Sequence, residues 1–162
     1  MPDTYDCETR SRVMRQVKGR DTKPELMLRH ALWSRGLRGY RLHRKDVPGK
    51  PDVAFLGRRV AVFVDGAWWH GHPDKWWVGR SGEYWDRKVQ GNIDRDRRVD
   101  DELGSLGWTV VRFWDFEVLA DPERCCEKVA SALGGGAKRR RHDGGSRCIT
   151  TASTRQPLRG CR

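Results

Sequence analysis

Two short runs of β-forming residues flank the tripeptide Gly57-Arg58-Arg59, one covering Asp52 to Leu56 and the other Arg59 to Val64. A Gly-containing break between apolar runs is a strong hairpin signal, so the segment is predicted to form two antiparallel strands. With the turn centred near Gly57 and Arg58, Asp52 is expected opposite Phe63 or Val64. The second run leads into Asp65-Gly66-Ala67-Trp68-Trp69-His70. Two carboxylates, paired indoles and an imidazole are thereby gathered at one end of one hairpin. A divalent cation could there take oxygens from the Asp52 and Asp65 side chains, a main-chain carbonyl and water.

A chain of 162 residues is long enough for one domain with a full core and short for two. Its formal net charge of +11 points to a polyanionic partner, nucleic acid first, rather than to small neutral metabolites. Residues 134–162 contribute eight Lys or Arg against one Asp, so the tail accounts for much of that charge. No apolar run approaches the roughly 18 residues of a membrane span, and Met1 to Asp6 lacks the apolar centre of a secretion signal. A cytoplasmic protein is expected. Five cysteines, with no C-x-x-C pair, indicate neither a disulfide framework nor a zinc knuckle, and Cys125 and Cys126 are read as reduced helix residues.

Thr22-Lys23-Pro24-Glu25 has the form of a capping box and predicts a helix from Thr22 to the vicinity of Gly36. A basic arm with Arg12, Met14, Arg15 and Lys18 precedes it. Strands are expected at Tyr40–His43, at the two hairpin runs and at Trp108–Trp114, with a loop over Gly71–Gly82. Trp85, Val89, Asn92, Asp96, Val99 and Leu103 recur at helical spacing and define one face of a long helix. Asn92 and Asp96 interrupt that stripe, so both must be hydrogen-bonded or face a cleft. Asp121-Pro122 starts a last helix that ends at Leu133, before Gly134-Gly135-Gly136. The resulting class is α/β, a single domain with a mixed four-stranded sheet flanked by helices. It divides into an arm (1–21), a folded domain (22–133) and a disordered basic tail (134–162).

The order of elements and the Pro51-Asp52 hairpin resemble the PD-(D/E)xK nucleases, with their αβββαβ restriction-endonuclease-like core. More specifically, the chain resembles the very-short-patch repair (Vsr-type) mismatch endonucleases. The resemblance rests on Met14-Arg15, Gly19-Arg20-Asp21-Thr22 with Glu25, Pro48-Gly49-Lys50-Pro51-Asp52, Val62 to His72, Asn92 with Arg95-Asp96-Arg97, and Leu106 to Val110. It implies a Mg2+-dependent, monomeric enzyme that nicks double-stranded DNA 5′ to the thymine of a T:G mismatch, starting repair of deaminated 5-methylcytosine. On this resemblance Asp52 and the Val64 carbonyl hold the metal, His70 is the catalytic histidine, and Glu25 and Asp96 orient water or the histidine. Trp68 and Trp69 match an aromatic wedge, with Met14 entering from the opposite groove. Asp65 stands where better-known members carry a second histidine, and a carboxylate there would strengthen metal binding. A structural zinc is not expected. His72 matches one ligand, but Ala67, Asp74 and Phe116 stand at the thiolate positions, so the loop should be held by Trp76 and Trp77 instead.

These residue types suit phosphodiester cleavage. A cation polarises phosphate and acidifies water, and an imidazole exchanges a proton near neutrality. Aromatic side chains can part base steps where pairing is weak. Arg12, Arg15, Lys18, Arg95, Arg97 and Arg98 are expected on phosphates, with Asn92 also counted among the DNA-binding residues. Each has a plainer reading: Asp52 can cap a strand, His70 can lie on the surface, Glu25 can serve only the capping box, and Asp65 can form a turn with Gly66. Two other functions stay open, a related nickase of a restriction or mobile-element system with no mismatch requirement, and a DNA-binding module without catalysis.

Overall fold

The computed structural model describes residues 19–135. The expectations for Arg12, Met14, Arg15 and Lys18, and for the tail past residue 135, lie outside the described residues.

Helix α1 (Lys23–Ser34) starts where the capping box predicts. Glu25 accepts from the Thr22 hydroxyl at 2.7 Å, from the Thr22 amide at 3.4 Å and from the Asp21 amide at 2.9 Å. Strand β1 (Arg41–Leu42) is shorter than foreseen. Strands β2 (Val53–Phe55) and β3 (Val60–Asp65) form the hairpin, joined by a 3-10 turn over Leu56–Arg58 that closes on Arg59 in the left-handed region. Their register pairs Val53 with Val62, Ala54 with Ala61 and Phe55 with Val60. Asp52, one residue before Val53, therefore falls beside Phe63 and Val64 as expected. Helix α2 (Glu83–Ser105) crosses to β4 (Thr109–Trp114), which joins β3 in parallel.

The sheet order is β1-β2-β3-β4, antiparallel except for the last pair. Helices α3 (Asp115–Ala120) and α4 (Pro122–Gly135) complete the domain. The short α3 was not anticipated: Asp115 and Glu117 lie in its first turn, and Glu117 accepts from the Trp114 amide at 2.9 Å. Asp121 caps α4 by accepting from the Arg124 amide at 2.9 Å, and the helix runs two residues beyond the expected Leu133.

Strand β3 is covered on both faces, which explains its nearly unbroken apolar sequence. Val60 and Val62 join Leu28, Leu32, Phe113, Val118 and Val129 in the main core against α1, α3 and α4. Ala61 and Phe63 point the other way, toward Leu103 and Val99 of α2. Cys125 and Cys126 are buried free thiols, and burial pushes the Cys125 thiol up to about 11, so it stays protonated and unreactive. The buried positions of α2 include Trp85, Val89, Asp96 and Leu103, as expected, with Ile93 where the sequence pattern favoured Asn92. No helix among the described residues is long and apolar enough to cross a membrane.

Two glycines let the site close. Gly49 has φ +74°, and a Cβ there would lie 2.4 Å from Val99 Cγ1. Gly71 has φ +71°, and its Cβ would lie 2.5 Å from Ile93 Cδ1. Only glycine lets the loops before β2 and after β3 lie this closely on α2.

Candidate active site

The N-terminus of α1, the ends of β2 and β3, the turn after β3 and the middle of α2 enclose a cleft of about 1060 Å³. Three charged side chains are buried among the described residues, Glu25, Asp65 and Asp96, and all three line this cleft. Charge is removed from water at a cost, and a fold that does so three times in one place is building a site.

Asp52 is held by the hairpin. Its Oδ2 accepts from the Val64 amide at 2.8 Å, while Oδ1 lies 3.7 Å from His43 Nδ1. Burial pushes its carboxyl up to about 6; the Val64 amide opposes this, Glu25 adds to it, His43 opposes, and Asp65 adds again. A buried carboxylate with acids as neighbours is one that a dication would relieve, and its oxygens are hard donors that fit Mg2+.

His70 stands in the turn after β3, where its amide donates to the Gly66 carbonyl at 3.1 Å. Its Nδ1 lies 2.5 Å from Asp96 Oδ2 and 3.7 Å from Asp65 Oδ1. Burial works against an ionised Asp96, yet the hydrogen bond and charge of His70, with Arg112 and Arg95, hold its carboxyl below the usual range. Asp65 has a partner the sequence reading missed: Arg112 Nη1 donates to both of its oxygens, at 3.0 and 2.8 Å. The Asp65 carboxylate is thus balanced by a guanidinium. Arg112 was legible in principle, as a lone charge in the otherwise apolar and uncharged interior of β4 that must find an acid.

Glu25 both caps α1 and reaches the cleft. Its Oε2 lies 3.9 Å from His43 Nε2, and Asp21 Oδ1 lies 3.8 Å from the same nitrogen. His43 was also missed. It adopts φ +45°, a conformation that L side chains rarely take, and its Nε2 is buried with no hydrogen-bond partner. The sets Asp21–Glu25–His43 and Asp65–His70–Asp96 each bring possible metal-ligating atoms within 4.8 Å of one another. Guanidinium groups already serve both, Arg29 at 2.6 Å from Asp21 and Arg112 at 2.8 Å from Asp65. Among the described residues Asp52 has no guanidinium partner, only His43 at 3.7 Å.

The paired indoles separate in role. Trp69 lines the cleft, and Asn92 fixes its backbone by donating from Nδ2 to the Trp69 carbonyl at 2.9 Å. Trp68 packs on the Trp76–Val89–Ile93 cluster and edge-on to Trp69 and Trp85, with ring centroids 4.6 and 5.2 Å away. Trp85 is buried, whereas Trp108 and Trp114 are half-buried, Trp108 packing beside Phe63 and Leu103. The expectation that Trp76 and Trp77 together hold the loop is corrected in half: Trp76 is buried, but Trp77 is 54% exposed, with the Arg80 guanidinium 4.5 Å from its ring centroid. His72 meets Trp114 and Phe116 edge-on at 4.9 and 5.0 Å, so an aromatic contact covers the position where the resemblance would put a zinc ligand.

Arg95 lines the cleft beside Lys45, Lys50 and Lys88. Arg97 and Arg98 are exposed on α2 and are not part of the cleft lining. The missed residues share a cause. His43 follows Arg41 at the end of a short strand-like segment and Arg112 is the one charge of β4, and nothing in their spacing shows that the fold turns them toward Asp52 and Asp65.

Residues 2–76 match the family described as DNA mismatch endonuclease Vsr. The chain is 42% identical over 134 residues to the type II nicking enzyme V.NmeDIP of Neisseria meningitidis serogroup C, covering 81% of this chain and 90% of that one. It is 37% identical over 135 residues to the type II nicking enzyme V.HpaIIP of Haemophilus parainfluenzae, covering 81% and 95%. It is 36% identical over 118 residues to the DNA mismatch endonuclease Vsr of Escherichia coli K12, covering 71% and 74%. The family match takes in the hairpin and His70, the relatives extend it over most of the chain, and the chain belongs to the Vsr family of DNA endonucleases.

Proposed function

We propose that the protein is a Mg2+-dependent, strand-specific endonuclease that nicks double-stranded DNA 5′ to the thymine of a T:G mismatch, acting as a monomer. The observation that carries this reading is the meeting, in one cleft, of the Asp52 carboxylate and the His70–Asp96 pair. Asp52 and the Val64 carbonyl are assigned to the metal, and Asp65, already paired with Arg112, to the support of His70. When bound, the cation supplies neutralisation of phosphate charge and a more acidic water.

The chain's own groups do the rest. With Nδ1–H given to Asp96, the lone pair of His70 is on Nε2, where it can accept or return a proton. The Asp96 charge favours the imidazolium that results. Lys45, Lys50, Lys88 and Arg95 attract the phosphates that flank the cut. Trp69, held by Asn92, is the aromatic group placed to press against a weakly paired base step, with Trp68 as its backing.

The relatives named as type II nicking enzymes support a second reading, a nickase of a restriction system that does not need a mismatch. One gel separates the two. Duplexes of equal sequence, labelled on either strand and carrying T:G or fully paired bases, are incubated with Mg2+ or with EDTA. The first reading expects a single nick 5′ to the mismatched thymine, with Mg2+ only. Equal nicking of the paired duplex favours the second, and binding without nicking under any divalent ion overturns both.

A further inference from the structure

Arg112 lies on β4 directly beside Phe63 of β3, and its guanidinium stacks 4.3 Å from the centroid of the Phe63 ring. From that seat it reaches three acids on two elements. Nη1 donates to both oxygens of Asp65 at the end of β3, and Nε donates to Asp100 Oδ1 at 2.9 Å and Oδ2 at 3.3 Å. Nη2 lies 3.8 Å from Oδ1 of Asp96, one helical turn before Asp100. The other oxygen of Asp96 holds His70 Nδ1 at 2.5 Å, and Asp65 Oδ1 lies 3.7 Å from the same nitrogen.

We propose that Arg112 is the positioning residue of His70, tying the end of β3 to the middle of α2 so that Asp65 and Asp96 flank Nδ1 in a fixed arrangement. The inference rests on the reading of His70 as a proton carrier in cleavage. Two arguments favour positioning over stability alone. A buried ion network is seldom more stable than a well-packed apolar replacement, so its presence asks for another role. Two of the three acids that Arg112 addresses are also the two beside His70, whereas a purely structural clamp has no reason to choose them. A guanidinium is suited to the task because its planar fork meets several carboxylates at set angles, which an ammonium cannot do. With both acids held, Nδ1–H remains committed to Asp96 and a single tautomer faces the substrate.

The test uses the full chain with Arg112→Lys and Arg112→Met. Four quantities are measured: thermal unfolding, duplex affinity with Ca2+ in place of Mg2+, single-turnover nicking of bound duplex, and the 15N shifts of the His70 ring. The Met variant is expected to bind duplex within about threefold of wild type and to nick about 100-fold more slowly, with mixed tautomer signals from His70. The Lys variant should lose about tenfold in rate, part of the effect being restored by charge alone. The proposal is overturned if either folded variant nicks within threefold of wild type, if affinity falls in step with rate, or if His70 keeps one tautomer. If Met fails to fold, Lys decides; a Lys variant with no cooperative melt assigns Arg112 to the fold and also overturns the proposal. A His70→Ala variant run alongside separates the layers. Undiminished nicking by that variant removes the reading on which the inference stands, whereas an inactive His70→Ala beside fully active Arg112 variants removes the inference alone.

Discussion

His70 Nδ1 stands 2.5 Å from Asp96 Oδ2, joining the turn after the third strand to a helix that begins 13 residues later. An acid behind an imidazole fixes the tautomer and stabilises the protonated ring. Asp96→Asn should keep duplex affinity within about threefold and lower single-turnover nicking about 100-fold or more. A rate within threefold of wild type would show that the pair has no part in cleavage.

Asp52 should trade stability against function. Its carboxyl ionises near 6 in the fold against an ordinary 3.8, so the folded state favours the protonated form. That contribution is complete below pH 3.8 and is lost as pH rises through about 6. Asp52→Asn should therefore be more stable than metal-free wild type at pH 8, by about 2 to 3 kcal/mol, with the gap closing near pH 4. The same variant should not nick, and Mg2+ should raise the melting temperature of wild type but not of Asp52→Asn. Urea titrations at the two pH values and melts with and without Mg2+ provide the check.

Trp69 and Trp77 make opposite predictions. Trp69→Ala should narrow the preference for T:G over paired duplex by about 5- to 100-fold, the range expected from losing one aromatic contact with a base. Trp77→Ala, at an exposed position outside the cleft lining, should leave that preference unchanged. Competition binding with matched duplexes distinguishes them. Equal effects of the two would move the recognition surface outward to the loop.

The cleft's cations should be visible in salt dependence. Each phosphate contact contributes about 0.9 to the slope of log affinity against log salt. Lys88→Gln with Arg95→Gln should reduce that slope by about 1 to 2 and leave nicking at saturating protein within a few-fold. Unchanged slopes would place the phosphates elsewhere.

Gly49→Ala should destabilise the domain by about 2 kcal/mol, because the left-handed backbone and the 2.4 Å approach to Val99 Cγ1 both oppose a methyl group. Adding Val99→Ala removes the Val99 clash but neither the 3.2 Å approach to the Phe63 ring nor the backbone cost, so the double variant should recover part of the loss relative to Val99→Ala alone. A double-mutant cycle from urea unfolding measures this coupling.

The hairpin, the mixed sheet, the long helix and the capping box were all legible because each depends on local periodicity or turn chemistry. Asp52, His70 and Asp96 were legible because polar residues stood where apolar ones were due or next to a turn. The short α3, the exposure of Trp77 and the placement of Ile93 depend on how elements pack, which a single sequence does not encode locally. Arg112 and His43 were missed for the same reason. Their partners lie on other elements, with Asp65 47 residues from Arg112 along the chain.

The pairing of Val53 with Val62 has a consequence for assembly. A slip of one position between these strands would swing the Asp52 carboxylate to the opposite face and strip it of the Val64 amide. Because strand faces alternate, the same slip would put Ala54 where Val53 and Phe55 belong in the main core. Misaligned chains would thus forfeit their interior and their chemistry together.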